Sequence, residues 1–155
     1  MLRDVCVAEI NMYRAMLTGV MPLVRASAAQ EMCSDQGAQV DGDSMIGHGF
    51  FSTAGSCIQK VGLSAQDTCP GYPVGGFGGA ATVADALKAC LKGMWGEGEP
   101  PQGRAACMSD SSCFQKYGHY LNMSNPKATA ASCAFYKMKD GMSWWMNQDF
   151  VVTWP

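Results

Sequence analysis

Apolar residues recur at three- and four-residue spacing near the start of the chain, at Val5, Ala8, Met12, Ala15 and Met16, with Arg3, Glu9, Asn11 and Arg14 between them. That period predicts an amphipathic helix capped by Asp4 and running to Thr18, where Gly19 stops it. A second helix is predicted from Ser27, because Gln30 completes a capping box and Ala28, Ala29, Met32, Cys33 and Gly37 form a face small enough for close packing. Thr82 and Asp85 form the same box for a third, which buries Val83, Ala86, Leu87, Cys90, Leu91 and Met94 and ends at Trp95-Gly96-Glu97. Between the second and third helices the pattern breaks up. Residues 40–69 are punctuated by Gly, Ser and Asp, and 69–79 is glycine-rich without either phosphate-cradling arrangement, so a close-packed loop or irregular strand is predicted there. Asp110 or Ser111 can cap a short helix through Tyr117. The final forty residues change period: 130–138 and 143–153 are rich in aromatic and β-branched residues and flank Lys139-Asp140-Gly141, a hairpin signal. Helices first and a hairpin last predict an α+β fold with helices covering a small antiparallel sheet.

Composition narrows the setting. The 155 residues suit a single domain spanning 1–155. Charged residues are 15% of the chain and the formal net charge is −2, against about 25% charged in an average soluble protein. Neither nucleic acid nor an anionic membrane is indicated as a partner. Eight cysteines, with no C-x-x-C among them, point to an extracellular or other oxidising lumen rather than to a zinc site or a redox dithiol. Their 105 possible pairings stay open, each bridge adding about 2–4 kcal/mol. At least three disulfides are expected, with Cys133 in one of them. No stretch approaches the roughly 18–20 apolar residues of a transmembrane segment, and the N-terminus lacks the apolar core of a signal peptide, so secretion implies a targeting segment removed or omitted.

The candidate chemistry gathers at Gly118-His119-Tyr120-Leu121-Asn122-Met123-Ser124-Asn125-Pro126, followed by small residues to Ser132 and then Cys133-Ala134-Phe135. This run resembles the signature of the CAP superfamily (cysteine-rich secretory, antigen 5 and pathogenesis-related proteins and their SCP-like bacterial relatives). Its Asn125-Pro126 ending is closer to the bacterial form than to the animal and plant form, which has Trp at Asn125. The first helix is similar too: it carries Asn11-Met12-Tyr13-Arg14 and closes in Gly19-Val20-Met21-Pro22-Leu23. The second departs from the family pattern, with Arg25 in place of the usual Trp ahead of it. The resemblance implies a three-layer α-β-α sandwich in which His48, from Met45-Ile46-Gly47-His48-Gly49, faces His119 across a ligand cleft. It also implies two acidic groups. One is Glu97, with Glu99 as competitor, while the other, from the family's Gly-Glu-Asn-Ile, falls on Tyr72 and is lost. Residues 100–113 look like an insertion. The sequon at Asn122 lies inside the motif, so glycosylation is not expected there.

Function follows from what these residues can do. There is no G-x-S-x-G elbow, and bridged cysteines are not nucleophiles, so catalytic residues are not assigned. His48 and His119 with one carboxylate could hold a divalent metal such as zinc, though no cofactor is required by the sequence. Three readings stand: a secreted, non-enzymatic CAP-like binding protein for a lipid, peptide or protein ligand; an accessory subunit of an extracellular or lumenal assembly; and a metal-dependent hydrolase. A hydrophobic small molecule or a protein is the partner expected. For the second reading, the C-terminal stretch supplies Trp145, Met146 and Trp154 as a partner surface, since Trp and Met are enriched in interfaces.

Overall fold

Residues 1–153 are described by the computed structural model. The chain forms α1 (Leu2–Arg14), β1 (Val24–Arg25), α2 (Ala28–Ser44), α3 (Cys57–Lys60), β2 (Ala65–Pro73), α4 (Val83–Trp95), α5 (Arg104–Met108), α6 (Ser111–Met123), β3 (Ala128–Lys137) and β4 (Ser143–Val152). One sheet of order β1-β3-β4-β2 lies between α1, α4 and α6 on one face and α2 with α3 on the other, the expected α-β-α sandwich. β2, β3 and β4 are antiparallel neighbours. The two residues of β1 add a parallel edge against Ala130 and Ala131, which makes the sheet mixed.

Local signals explain most of the elements. Both capping boxes form, Ser27 with Gln30 and Thr82 with Asp85. Asp140 turns the β3–β4 hairpin by accepting the Met142 and Ser143 N–H groups, and Gly141 supplies the positive φ beside it. α1 starts at Leu2, so Asp4 sits in its first turn instead of capping it, and bonds to Arg25. It ends at Arg14, earlier than predicted, because the next residues tighten into i→i−3 turns. α6 overruns its predicted end at Tyr117 and continues through Gly118 to Met123, so His119 lies within the helix. β2 is the element hydropathy missed: its buried positions are Gln66, Asp67, Thr68 and Cys69, and it bulges between Cys69 and Tyr72.

The sheet is covered differently on its two faces. Toward α1 and α4, Ala131, Cys133, Met146 and Phe150 pack with Ile10, Leu87 and Leu91 into the main apolar core. Toward α2 the interface is small and polar. Ala38, Ala134 and Trp145 form the apolar part, and Gly42 lets the helix close on the sheet, since a Cβ there would stand 2.7 Å from the Tyr136 ring. Beside them Asp41, Asn147 and Asp149 are wholly buried. Asp41 accepts from Phe50 N at 2.7 Å and Asn147 Nδ2 at 3.1 Å, while Asp149 accepts from Gln66 Nε2 at 2.8 Å.

Two further devices close the fold. Arg14, fully buried, donates only to backbone carbonyls, those of Met21, Met123, Asn125 and Ala128, and so gathers the ends of α1 and α6 and the start of β3. Burial, with Arg104 nearby, pulls its guanidinium down to about 10, which still leaves it charged at neutral pH. The cysteines pair as Cys6–Cys133, Cys33–Cys57, Cys69–Cys90 and Cys107–Cys113, so the expectation of at least three bridges including Cys133 is met.

Two predictions follow from this layout. Cys6–Cys133 spans 127 positions and Cys107–Cys113 only 6. Loop-closure entropy alone therefore makes replacing the first pair by alanines cost about 5 kcal/mol and the second about 2 kcal/mol, to be read by urea unfolding of the two double variants. The second concerns Asp149. Burial, with Asp41 nearby, pushes its carboxyl up to about 6, against about 3.9 unfolded. The folded state thus binds the extra proton between those values: the contribution is complete below about pH 4 and is lost as pH rises through 6, a change of about 3 kcal/mol. Asp149→Asn cannot ionise, so its stability relative to the parent should rise by up to that amount between pH 4 and pH 7.5.

Candidate functional site

The start of β2 is the free edge of the sheet, and a cavity of about 450 Å³ opens along it. Its apolar lining comes from Phe51, Ala65, Met108, Phe114 and Val152, and its polar lining includes His48, Gln66, His119 and Asn122. Among the described residues no Lys, Arg, Asp or Glu lines it. The elements that meet here are the loop after α2, β2, the α5–α6 segment and the end of β4.

His48 is placed by its backbone as much as by its side chain. Its φ is +61°, a left-handed conformation that histidine adopts more readily than branched residues. The loop is pinned by Asp41, whose side chain takes the Phe50 N–H and whose carbonyl takes the Ile46 N–H. Phe50 then seats against Gly37 of α2, where a Cβ would come within 3.0 Å of its ring. From this anchored loop the His48 ring reaches Gln66, with Nδ1 2.8 Å from Oε1.

His119 is placed by α6 and by the residue just past α4. Glu97 Oε1 lies 2.5 Å from His119 Nδ1, and Glu97 Oε2 accepts the backbone N–H groups of His119 at 3.1 Å and Tyr120 at 3.2 Å. Trp95 supports the arrangement from behind, stacked on Tyr13 at 5.3 Å and tilted against Tyr120 at 4.8 Å. One turn on from His119, Asn122 donates to Gln66 O at 3.2 Å and Asp67 Oδ1 at 2.8 Å, locking α6 onto β2. Burial first, then Glu97 and Asp149, drives the Asp67 carboxyl well above the usual range, against the Asn122 hydrogen bond. The Asn122 amide nitrogen is thus engaged and only 8% of the residue is exposed, which leaves the sequon no free acceptor.

His48 and His119 accordingly line one cavity, and Glu97 backs His119 without lining it. Glu99, the competitor, is exposed and lines a separate depression beside Arg104. Tyr72 is not brought to the cavity: six positions beyond Gln66, up to roughly 20 Å along a strand, it faces the main core opposite Trp144. Trp145 and Met146 cannot form a partner surface, because β4 alternates them into opposite faces of the sheet, where they are 1% and 0% exposed. Trp154 lies outside the described residues. Sequence reasoning missed Gln66, Met108 and Phe114. Only Asn122 carried a signal, through its i+3 spacing from His119 on a helix.

The arrangement does not fit a resident zinc ion. Among the described residues no three His, Cys, Asp or Glu side chains group as ligands. It does not supply a nucleophile either. The Ser64 hydroxyl at the rim accepts the Val152 N–H at 3.1 Å, and no hydrogen bond joins it to either histidine among the described residues.

No family model and no curated protein matches the sequence. Solved structures do match in shape. BmVAL-1 superposes with a TM-score of 0.64 at 14% identity, covering 97% of this chain and 77% of its own. Na-ASP-1 superposes with a TM-score of 0.59 at 12% identity, covering 96% of this chain and 38% of its own, so the present chain spans well under half of that protein. Both belong to the venom allergen branch of the CAP, or SCP-like, proteins. With the helices, mixed sheet and layer order described above, the chain has a CAP-like fold.

Proposed function

We propose that this is an extracellular, non-enzymatic binding protein whose β2-edge cavity takes an apolar or amphipathic small molecule. The observation that carries the reading is the cavity itself. It falls within the range of small-molecule pockets, its walls are aromatic, thioether and aliphatic, and its few polar groups converge from three elements. Histidines held by Gln66 and Glu97 with no nucleophile between them suit recognition better than turnover. The four disulfides and the CAP-like neighbours are consistent with an extracellular protein, and no helix of the described residues is long and apolar enough to cross a membrane. The accessory-subunit reading is not adopted, since Trp145 and Met146 are interior residues.

The 100–113 segment is what gives the cavity its outer wall. Cys107–Cys113 staples α5 to the start of α6, and Arg104 fastens the segment to the Leu121 carbonyl and the Ser124 hydroxyl. Met108 and Phe114, 44% and 37% exposed, are thereby presented to the cavity without being part of the core. The neutral probe N-phenyl-1-naphthylamine should bind saturably at one site, with enhanced fluorescence. Met108→Lys should weaken it at least ~10-fold, since a charge must be desolvated against the probe, while the melting temperature stays unchanged. Unaltered affinity in that variant would place the probe elsewhere and remove this cavity as the binding site.

A further inference from the structure

Each cavity histidine is held by its Nδ1, and the partner decides where the ring proton sits. Gln66 cannot be turned end for end. Its Nε2 donates to Asp149 at 2.8 Å, and above about pH 6 that carboxylate is ionised and only accepts, so Oε1 is the atom that meets His48 Nδ1 at 2.8 Å. An amide oxygen also only accepts, which puts the hydrogen on His48 Nδ1. Thr68 Oγ1, 3.5 Å from both of those atoms, is too distant to displace the bond. His119 reaches the same state by another route: Glu97 receives Nδ1 and two backbone N–H groups, donors throughout. With Nδ1–H set, a neutral imidazole has its lone pair on Nε2. No hydrogen bond engages either Nε2 among the described residues, and both rings line the same uncharged cavity.

We propose that Gln66 and Glu97 are positioning residues that lock both imidazoles in the Nδ1–H tautomer, so that the cavity offers two bare Nε2 acceptors to an apolar ligand headed by a neutral hydrogen-bond donor such as a hydroxyl. The ligand half rests on the binding reading above, and the tautomer half does not. Rings in this tautomer present lone pairs, which disfavours a carboxylate or ether head whose own lone pairs would face them unpaired. The buried Gln66, 6% exposed and fixed at both ends, therefore acts on specificity through the His48 ring that it orients.

The test uses the full chain with disulfides intact, labelled with ¹⁵N in histidine, at pH 8. A long-range proton–nitrogen correlation spectrum should show a pyrrole-type Nδ1 and a pyridine-type Nε2 in both rings. Decan-1-ol should bind about 3- to 10-fold tighter than decyl methyl ether, the worth of one buried hydrogen bond, and should shift the Nε2 signals. Gln66→Met should change the His48 pattern and shrink that preference while leaving the His119 pattern as it was, which also shows the fold intact. An Nε2–H pattern in either ring of the parent protein, or a His48 pattern unmoved by Gln66→Met, overturns the lock. Equal affinity for alcohol and ether overturns the donor preference while the binding reading survives. Binding of neither probe overturns the binding reading and the ligand half together, and the spectrum alone then decides the tautomers.

Discussion

A strand that buries Gln66 and Thr68 toward one face and Asp67 toward the other must find partners for those groups, because an orphaned one costs on the order of 1–3 kcal/mol. β2 finds most of them by reaching to both helical layers, and Asp67 Oδ2 is left without one. Gln66 joins Asp149 and the His48 loop on the α2 side, and Asp67 takes the Asn122 amide from α6 on the other. Because Asn122 also binds the Gln66 carbonyl, one residue of β2 ties together the two segments that carry histidines. The site is in this sense a by-product of satisfying an edge strand. Its two imidazoles converge because their segments share an anchor, although they lie far apart in the chain.

The same constraint explains what was legible in the sequence. Features written in local chemistry could be read: the capping boxes at Ser27 and Thr82, the Asp140-Gly141 turn, the small face of α2, and cysteines too numerous for a reducing compartment. β2 could not, since hydrophobic alternation is the signal for a strand and here hydrogen bonding has replaced it at Gln66, Asp67 and Thr68. The α6 boundary was misread for a related reason. A glycine ordinarily argues for a stop, but Gly118 sits where the helix N–H groups donate to the Glu97 carboxylate and packs beside Phe114.

Resemblance went further than pattern and then failed at a definable point. His48, Glu97 and His119 could be named from motif spacing, because the chain carries their neighbours. Tyr72 was placed by alignment across the glycine-rich stretch, where a bulge between Cys69 and Tyr72 and several left-handed glycines leave position in sequence a poor guide to position in space. Gln66 holds the His48 ring, yet nothing in the sequence singles out that glutamine until its two hydrogen-bond partners are seen. The partner surface failed on strand geometry. Adjacent residues of β4 must point opposite ways, and with both sheet faces covered Trp145 and Met146 had no outward side to take.

A histidine oriented through Nδ1 by an acidic group is two-thirds of a hydrolytic triad, so the distinction between binding and catalysis rests on what faces Nε2. Here the cavity that the rings line is walled in part by Met108 and Phe114, from a segment stapled by its own disulfide and fastened through Arg104. A wall of this kind excludes water and supplies contact area, but it offers no hydroxyl or thiol to be activated and no converging N–H pair for a developing oxyanion. Shape, apolar surface and the two histidine rings are what the proposed binding reading draws on.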